Sequence, residues 1–202
     1  MKYLKVVALV LVVALAASCA AKIPQKDIDA ANTAMTDAQN AKADVYAPTE
    51  FQAATDAKTA LDTELAAQEA LQSGKSYKQT TTLAKALLDA ATKAKTAAVA
   101  NMETAKNDAA ALVTDVQAAY AIVKAESAAA SKDARKAAKA GLNVKAIAAQ
   151  VAAEEQAIAT AVAANDAQDY AAAKDQLTTL KAEVAQLQAS LEAAGFTATA
   201  AN

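Results

Sequence analysis

From about residue 25 onward, apolar side chains recur at steps of three and four residues, the spacing of helices that bury one face. A first helix is predicted from about Gln25 to Tyr46, with Ile28, Ala31, Met35, Ala38 and Val45 on one side. Tyr46-Ala47-Pro48 interrupts it, and Pro48 suits the first turn of a new helix, where its missing N–H is not needed. That second helix places Phe51, Ala54, Leu61, Leu65 and Leu71 along a stripe until Ser73-Gly74, read as its C-terminal cap. A third helix starts near Ser76 and meets neither glycine nor proline before Gly141. If continuous over residues 76–139, its ~64 residues would reach about 95 Å at 1.5 Å per residue. Its stripe reads Leu83, Leu87, Ala91, Ala94, Ala98, Met102, Ala105, Ala109, Leu112, Val116, Ala119 and Val123. Asn143 is the expected cap of a fourth helix carrying Val144, Ile147, Val151, Ile158 and Val162, which Asn165-Asp166 ends. The last helix has the most regular heptad, Tyr170, Ala173, Leu177, Leu180, Val184, Leu187, Leu191 and Ala194. Gly195 stops it, and residues 196–202 are expected to fray.

A stripe that regular wants an apolar partner, and the short turn at 165–168 makes the fourth helix the nearest one, as an antiparallel hairpin. Residues 49–95 read in the same way, helix, polar turn with Tyr77, helix, and echo residues 143–194, where the turn carries Tyr170. The expected architecture is therefore all-α: an elongated antiparallel bundle of two coiled-coil-like hairpins, 49–95 and 143–194, joined by a long helix within a domain spanning 26–195. Composition strengthens this expectation. Alanine, the strongest helix former, makes up roughly a third of the chain. With three glycines, two prolines, two phenylalanines and no tryptophan, breakers and large anchors are both scarce, so helices must pack closely and run long. Five helices supply enough apolar faces to cover one another, which favours a monomer over a homo-oligomer.

The N-terminus follows a different pattern. Lys2 and Lys5 precede an apolar run from Val6 to Ala17, and small residues lead into Cys19, the one cysteine of the chain. The run is too short for a bilayer core that needs roughly 20 helical residues, but it has the length and flanks of a secretory signal peptide. Cys19 sits where the lipobox of bacterial lipoproteins places its acylated thiol, although Ala16 stands where leucine is commonest and Leu15 lies one residue further back. The expectation is a signal peptide over 1–18, cleavage between Ser18 and Cys19, lipidation of Cys19, and a lipidated tether over 19–25. The alternative is a plain secreted protein with one leftover thiol. Ala20, rather than aspartate, follows the cysteine, which by resemblance to diderm lipoproteins suggests an outer-membrane, periplasm-facing location.

The formal charge of −2 becomes −4 once Lys2 and Lys5 leave with the leader, a balance that does not suggest a nucleic-acid partner. Against it, Lys132, Arg135, Lys136 and Lys139 cluster where the large apolar residues of the third helix stop. They read either as a contact patch for acidic envelope polymers or lipid headgroups, or as a solvated last turn whose lysines offset the helix dipole. There is no histidine, which removes His-based acid–base catalysis and catalytic triads, and the single cysteine is assigned to lipid. The carboxylate pairs Asp27/Asp29, Glu154/Glu155 and Asp166/Asp169 remain, but adjacent Glu154 and Glu155 do not face one another on a helix, and Asp166 and Asp169 fall at a turn and first helical turn, where acids favour the dipole. Neither an enzyme nor a cofactor is expected.

At Tyr46-Ala47-Pro48-Thr49-Glu50-Phe51, followed by Leu61, Leu65, Ser73-Gly74 and Tyr77, the chain resembles a family of alanine-rich bacterial envelope lipoproteins with a helical-hairpin domain of unknown function. The resemblance covers roughly residues 28–100, and Thr80 departs from the alanine usual after the turn tyrosine. It implies a periplasm-facing lipoprotein with no catalytic residues to carry over. The expected function is a membrane-anchored, non-enzymatic spacer or protein-interaction scaffold with a candidate envelope protein partner. The alternative is a helical-bundle module that binds a lipid or other small apolar ligand.

Overall fold

The computed structural model describes residues 22–198, so the leader, Ser18 and Cys19 lie outside the described residues. Among those residues the chain is all-α and bundled, with seven helices and no strand. It divides into two compact units, Met1–Val99 and Ala100–Asn202.

In the first unit, α1 (Gln25–Asn40), the single turn α2 (Ala43–Tyr46) and α3 (Pro48–Ala70) pack with the opening stretch of α4 (Lys78–Lys132). Pro48 stands at the start of α3, as its fixed φ and missing donor require. The core joins Ile28 and Ala31 of α1, Ala54 and Leu61 of α3, and Ala84, Leu87 and Ala91 of α4. Each tight connection reverses the chain, so α1 and α4 run in the same direction with α3 against them. Lys95 of α4 reaches Asp37, near the end of α1, at 2.9 Å. Most of these core side chains are alanine, which lets helix axes approach closely but buries little area per contact, at roughly 25 cal/mol per Å2.

The second unit repeats the same up-down-up order with the rest of α4, the short α5 (Ala134–Lys139), α6 (Val144–Asp166) and α7 (Tyr170–Ala193). Lys174 pairs with Asp108 and Lys181 with Asp115, each at 2.6 Å. Both partners advance by seven residues, so α7 lies parallel to α4 in a fixed heptad register. The turn at 167–169 makes α6 antiparallel to both, and the Tyr120 hydroxyl donates to the Val151 carbonyl at 3.1 Å to tie α6 to α4. The core is richer here, with Val116, Val123, Ile147, Val151, Ile158, Leu177, Leu180, Val184, Leu187 and Leu191 all buried.

Several expectations need correction. The first helix is not continuous to Tyr46: it breaks after Asn40, with Lys42 in the left-handed region at φ 54°, and Val45 points out at 49% exposure while Tyr46 is buried. Ser73-Gly74 does not cap α3, which ends at Ala70 with Leu71 extended and 43% exposed. Helix 76–139 is also interrupted. α4 stops at Lys132, and the Asp133 side chain accepts from the Lys136 N–H to cap α5, so an aspartate makes a break where the lack of glycine and proline had suggested continuity. Finally, residues 196–198 do not fray. Gly195 takes φ 78° as the residue after the cap, its N–H reaches Glu192 O, the Phe196 N–H returns to Leu191 O, and Phe196 is buried. Each expected hairpin thus acquires a third helix, α1 beside 49–95 and the second part of α4 beside 143–194.

Candidate functional site

The second unit carries the described groups with chemistry worth weighing, and they fall in two places. The first is the middle of the α6–α7 hairpin. On α6 the buried positions follow 147, 151, 154, 158 and 161, so Glu154 occupies a core position between Val151 and Ile158. It is 4% exposed. The Gln150 amide donates to its Oε1 at 3.2 Å, while Oε2 is buried without a partner. Burial pushes its pKa above the usual carboxylate range, the Gln150 hydrogen bond opposes this, and the charge of Glu183 on α7 adds to the rise. Glu155, one residue on, faces away. It accepts from Lys124 at 2.8 Å, and this hydrogen bond and charge hold its carboxyl below the ordinary range. The Glu154/Glu155 pair therefore diverges by about 100° around α6, one carboxylate inward and the other to the exposed Lys124. Beside it runs an open groove of about 400 Å3 lined by Ala157, Thr160, Gln176, Thr179, Leu180 and Glu183. Thr160 and Thr179 turn their hydroxyls onto carbonyls of their own helices.

The second place is the end of the unit where α4 finishes, α5 lies and α7 closes. Lys132, Arg135, Lys136 and Lys139 are all exposed there, and Lys145 at the start of α6 joins them. Lys136 plays a structural part, because its ammonium donates to the Gly195 carbonyl and lies 4.4 Å from the Phe196 ring centroid. It thereby neutralises a carbonyl at the end of α7 and pins the segment that follows. Lys132, Arg135, Lys139 and Lys145 make no hydrogen bond or ion pair with another described residue. Below this end Glu126 is 1% exposed, accepts from the Ala198 N–H at 2.9 Å through Oε1, and leaves Oε2 without a partner.

The structure therefore gathers the four basic residues at one end of the unit and separates one of them, Lys136, as a clamp. Asp166 and Asp169 flank the α6–α7 turn at the other end, and Asp169 precedes α7 without a side-chain capping bond. Asp27 lies in the first turn of α1, where an acid favours the dipole. Sequence reasoning passed over Glu126 and Glu154 as core residues. The heptad phase would have found both, because each falls three residues after a buried valine, Val123 and Val151. Among the described residues no group of three or more acidic, histidine or cysteine side chains comes together that could hold a metal ion. No described helix is long and apolar enough to cross a membrane. Compared with protein families, curated proteins and solved structures, the chain matches none.

Proposed function

We propose that the chain is a bacterial envelope lipoprotein, anchored through acyl chains on Cys19 to the periplasmic face of the outer membrane, whose helical units act as a non-enzymatic spacer or protein-interaction scaffold. The observation that carries this reading is the basic, apolar and small-residue sequence that ends at the chain's one cysteine. Two or more acyl chains, at about 0.8 kcal/mol per buried methylene, make a stable anchor where a single chain does not. The form of the described units supports a scaffold. Their cores are filled by alanine and leucine, and the groove on the α6–α7 hairpin is shallow, with Thr, Gln and Glu on its walls. A lipid carrier would need an enclosed apolar cavity, which makes the carrier reading the weaker one.

Processing tests the proposal directly. The wild-type chain should partition into the detergent phase of a cloud-point separation, and its N-terminal peptide should carry an acylated Cys19 by mass spectrometry. Cys19→Ala should accumulate uncleaved and without acyl groups. An N-terminal peptide of wild type that lacks acyl groups refutes the anchor.

A further inference from the structure

The α6–α7 hairpin and α4 give the second unit two ends of opposite character. At one end the turn 167–169 is flanked by Asp166 and Asp169. The other end collects Lys132, Arg135, Lys136, Lys139 and Lys145 within 14 residues, against Asp133, whose carboxylate is engaged in capping α5. Glu192, on the last turn of α7, is satisfied by Gln188. Elsewhere in this unit the cations are matched: Lys106 with Glu103, Lys124 with Glu155, Lys174 with Asp108 and Lys181 with Asp115. Within the second unit, the basic end is thus where positive charge stands without a partner among the described residues, and it includes the chain's one arginine. An offset of helix carbonyls explains Lys136, which touches one, but not Lys132, Arg135, Lys139 or Lys145, which touch none.

We propose that this basic end is an interaction surface for an anionic, phosphate-bearing lipid bilayer. The four unpartnered cations are spread over the end of α4, all of α5 and the first turn of α6, on flexible stems with no buried polar group fixing their directions. A discrete phosphate or carboxylate ligand would call for preorganised donors, whereas a fluid headgroup layer rearranges to meet dispersed charges. The large exposed apolar side chains of the described residues, Ile23, Val45, Leu71 and Val99, all belong to the first unit, and the basic end itself contributes none. Contact would therefore be electrostatic, without insertion, and fully reversible by salt. Choosing a bilayer as the occupant rests on the lipid-anchor reading above.

The test uses the unlipidated chain from Cys19 onward with Cys19→Ser, which keeps every described residue, so a failed anchor and a failed basic surface are read in separate experiments. Binding is measured by co-sedimentation with vesicles of phosphatidylcholine alone or mixed with phosphatidylglycerol. The expected result is binding to the anionic vesicles only, abolished at high salt. Each cation near an anionic leaflet raises partitioning about fivefold, so Lys132→Gln, Arg135→Gln and Lys139→Gln together should weaken it on the order of 100-fold. All three side chains are exposed, and an unchanged thermal melt confirms that the variant is folded. Equal binding to neutral vesicles, undiminished binding by the triple variant, release by millimolar inorganic phosphate at constant ionic strength, or tighter binding to a duplex oligonucleotide would each overturn the proposal.

Discussion

Replacing Glu154 by leucine should stabilise the second unit, and should do so more at neutral than at acid pH. The carboxylate sits in the apolar seam of α6, with Val151 and Ile158 on either side along the stripe and Glu183 the charged group that acts on it from α7. On α4, Tyr120 feels the Glu154 charge weakly while its hydroxyl donates to the Val151 carbonyl. One oxygen has an amide partner and the other has none. A buried polar group without a partner costs about 1–3 kcal/mol, more when charged, and leucine removes that cost while keeping the volume filled. A gain of about 2 kcal/mol is the working figure, or roughly 4–8 °C at about 2–4 °C per kcal/mol for a chain of this size. The pH dependence follows from the raised pKa of Glu154. The folded state holds the proton to higher pH than the unfolded chain, whose glutamate titrates near about 4.3. The associated stability is therefore complete below the unfolded value and is lost as pH rises through the folded one. Wild type should lose this contribution as pH rises from the unfolded glutamate's value through the higher folded one, whereas Glu154→Leu should lack that component, so the gap between their melting temperatures widens with pH. Circular-dichroism melts at acid and at neutral pH measure it. A leucine variant that melts lower than wild type at neutral pH, or a gap of the same size at both, would refute the account.

Two further outcomes come from backbone geometry. Gln168, at φ 61°, occupies the left-handed position after α6, where an L side chain costs about 1–2 kcal/mol and glycine gives back about 0.5–1 of that in chain entropy. Gln168→Gly should raise the urea midpoint, by a net gain of about 0.5–1 kcal/mol. Gly195→Ala should act in the opposite direction, because its φ is 78° and a new Cβ would stand 3.1 Å from the Lys136 ammonium. A loss of about 1–2 kcal/mol is expected, accompanied by faster hydrogen exchange at the Phe196 and Ala198 amides as the clamp loosens.

What could be read from the sequence depended on side-chain size. The α7 stripe from Ala173 to Leu191 is buried as expected, because leucine and valine at alternating steps of four and three admit a single phase. In α4 the phase slips. Leu83 is half-buried and Ala84 is fully buried in its place, and Tyr120 replaces Ala119, since alanines on every face leave the stripe without a strong mark. The break at Asp133 is hidden in the sequence because a capping aspartate looks like any surface acid until the helix around it is known. Charge misleads in the same way: glutamate is ordinarily a surface residue, yet Glu126 and Glu154 occupy heptad positions that lie inside. The basic cluster is visible from its run of lysines, but the split between one clamp and several unpartnered cations depends on Gly195 and Phe196, almost 60 residues away, as the Lys136–Gly195 separation of 59 shows.

The alanine seams carry a consequence for how such a chain can vary. Ala91, Ala94 and Ala98 are fully enclosed, whereas Ala86 and Ala100 on the same helix face solvent, and nothing in their chemistry distinguishes them. An outward alanine can drift to lysine, glutamate or glutamine at little cost, because helix propensity barely changes. An enclosed one admits glycine or serine at most, since added atoms in a close-packed seam force strain of about 1–3 kcal/mol. Descendants of this sequence should therefore retain alanine in a pattern of threes and fours and lose it elsewhere. The positions that specify the bundle would then stand out as the small residues that stayed small, even after overall similarity has faded.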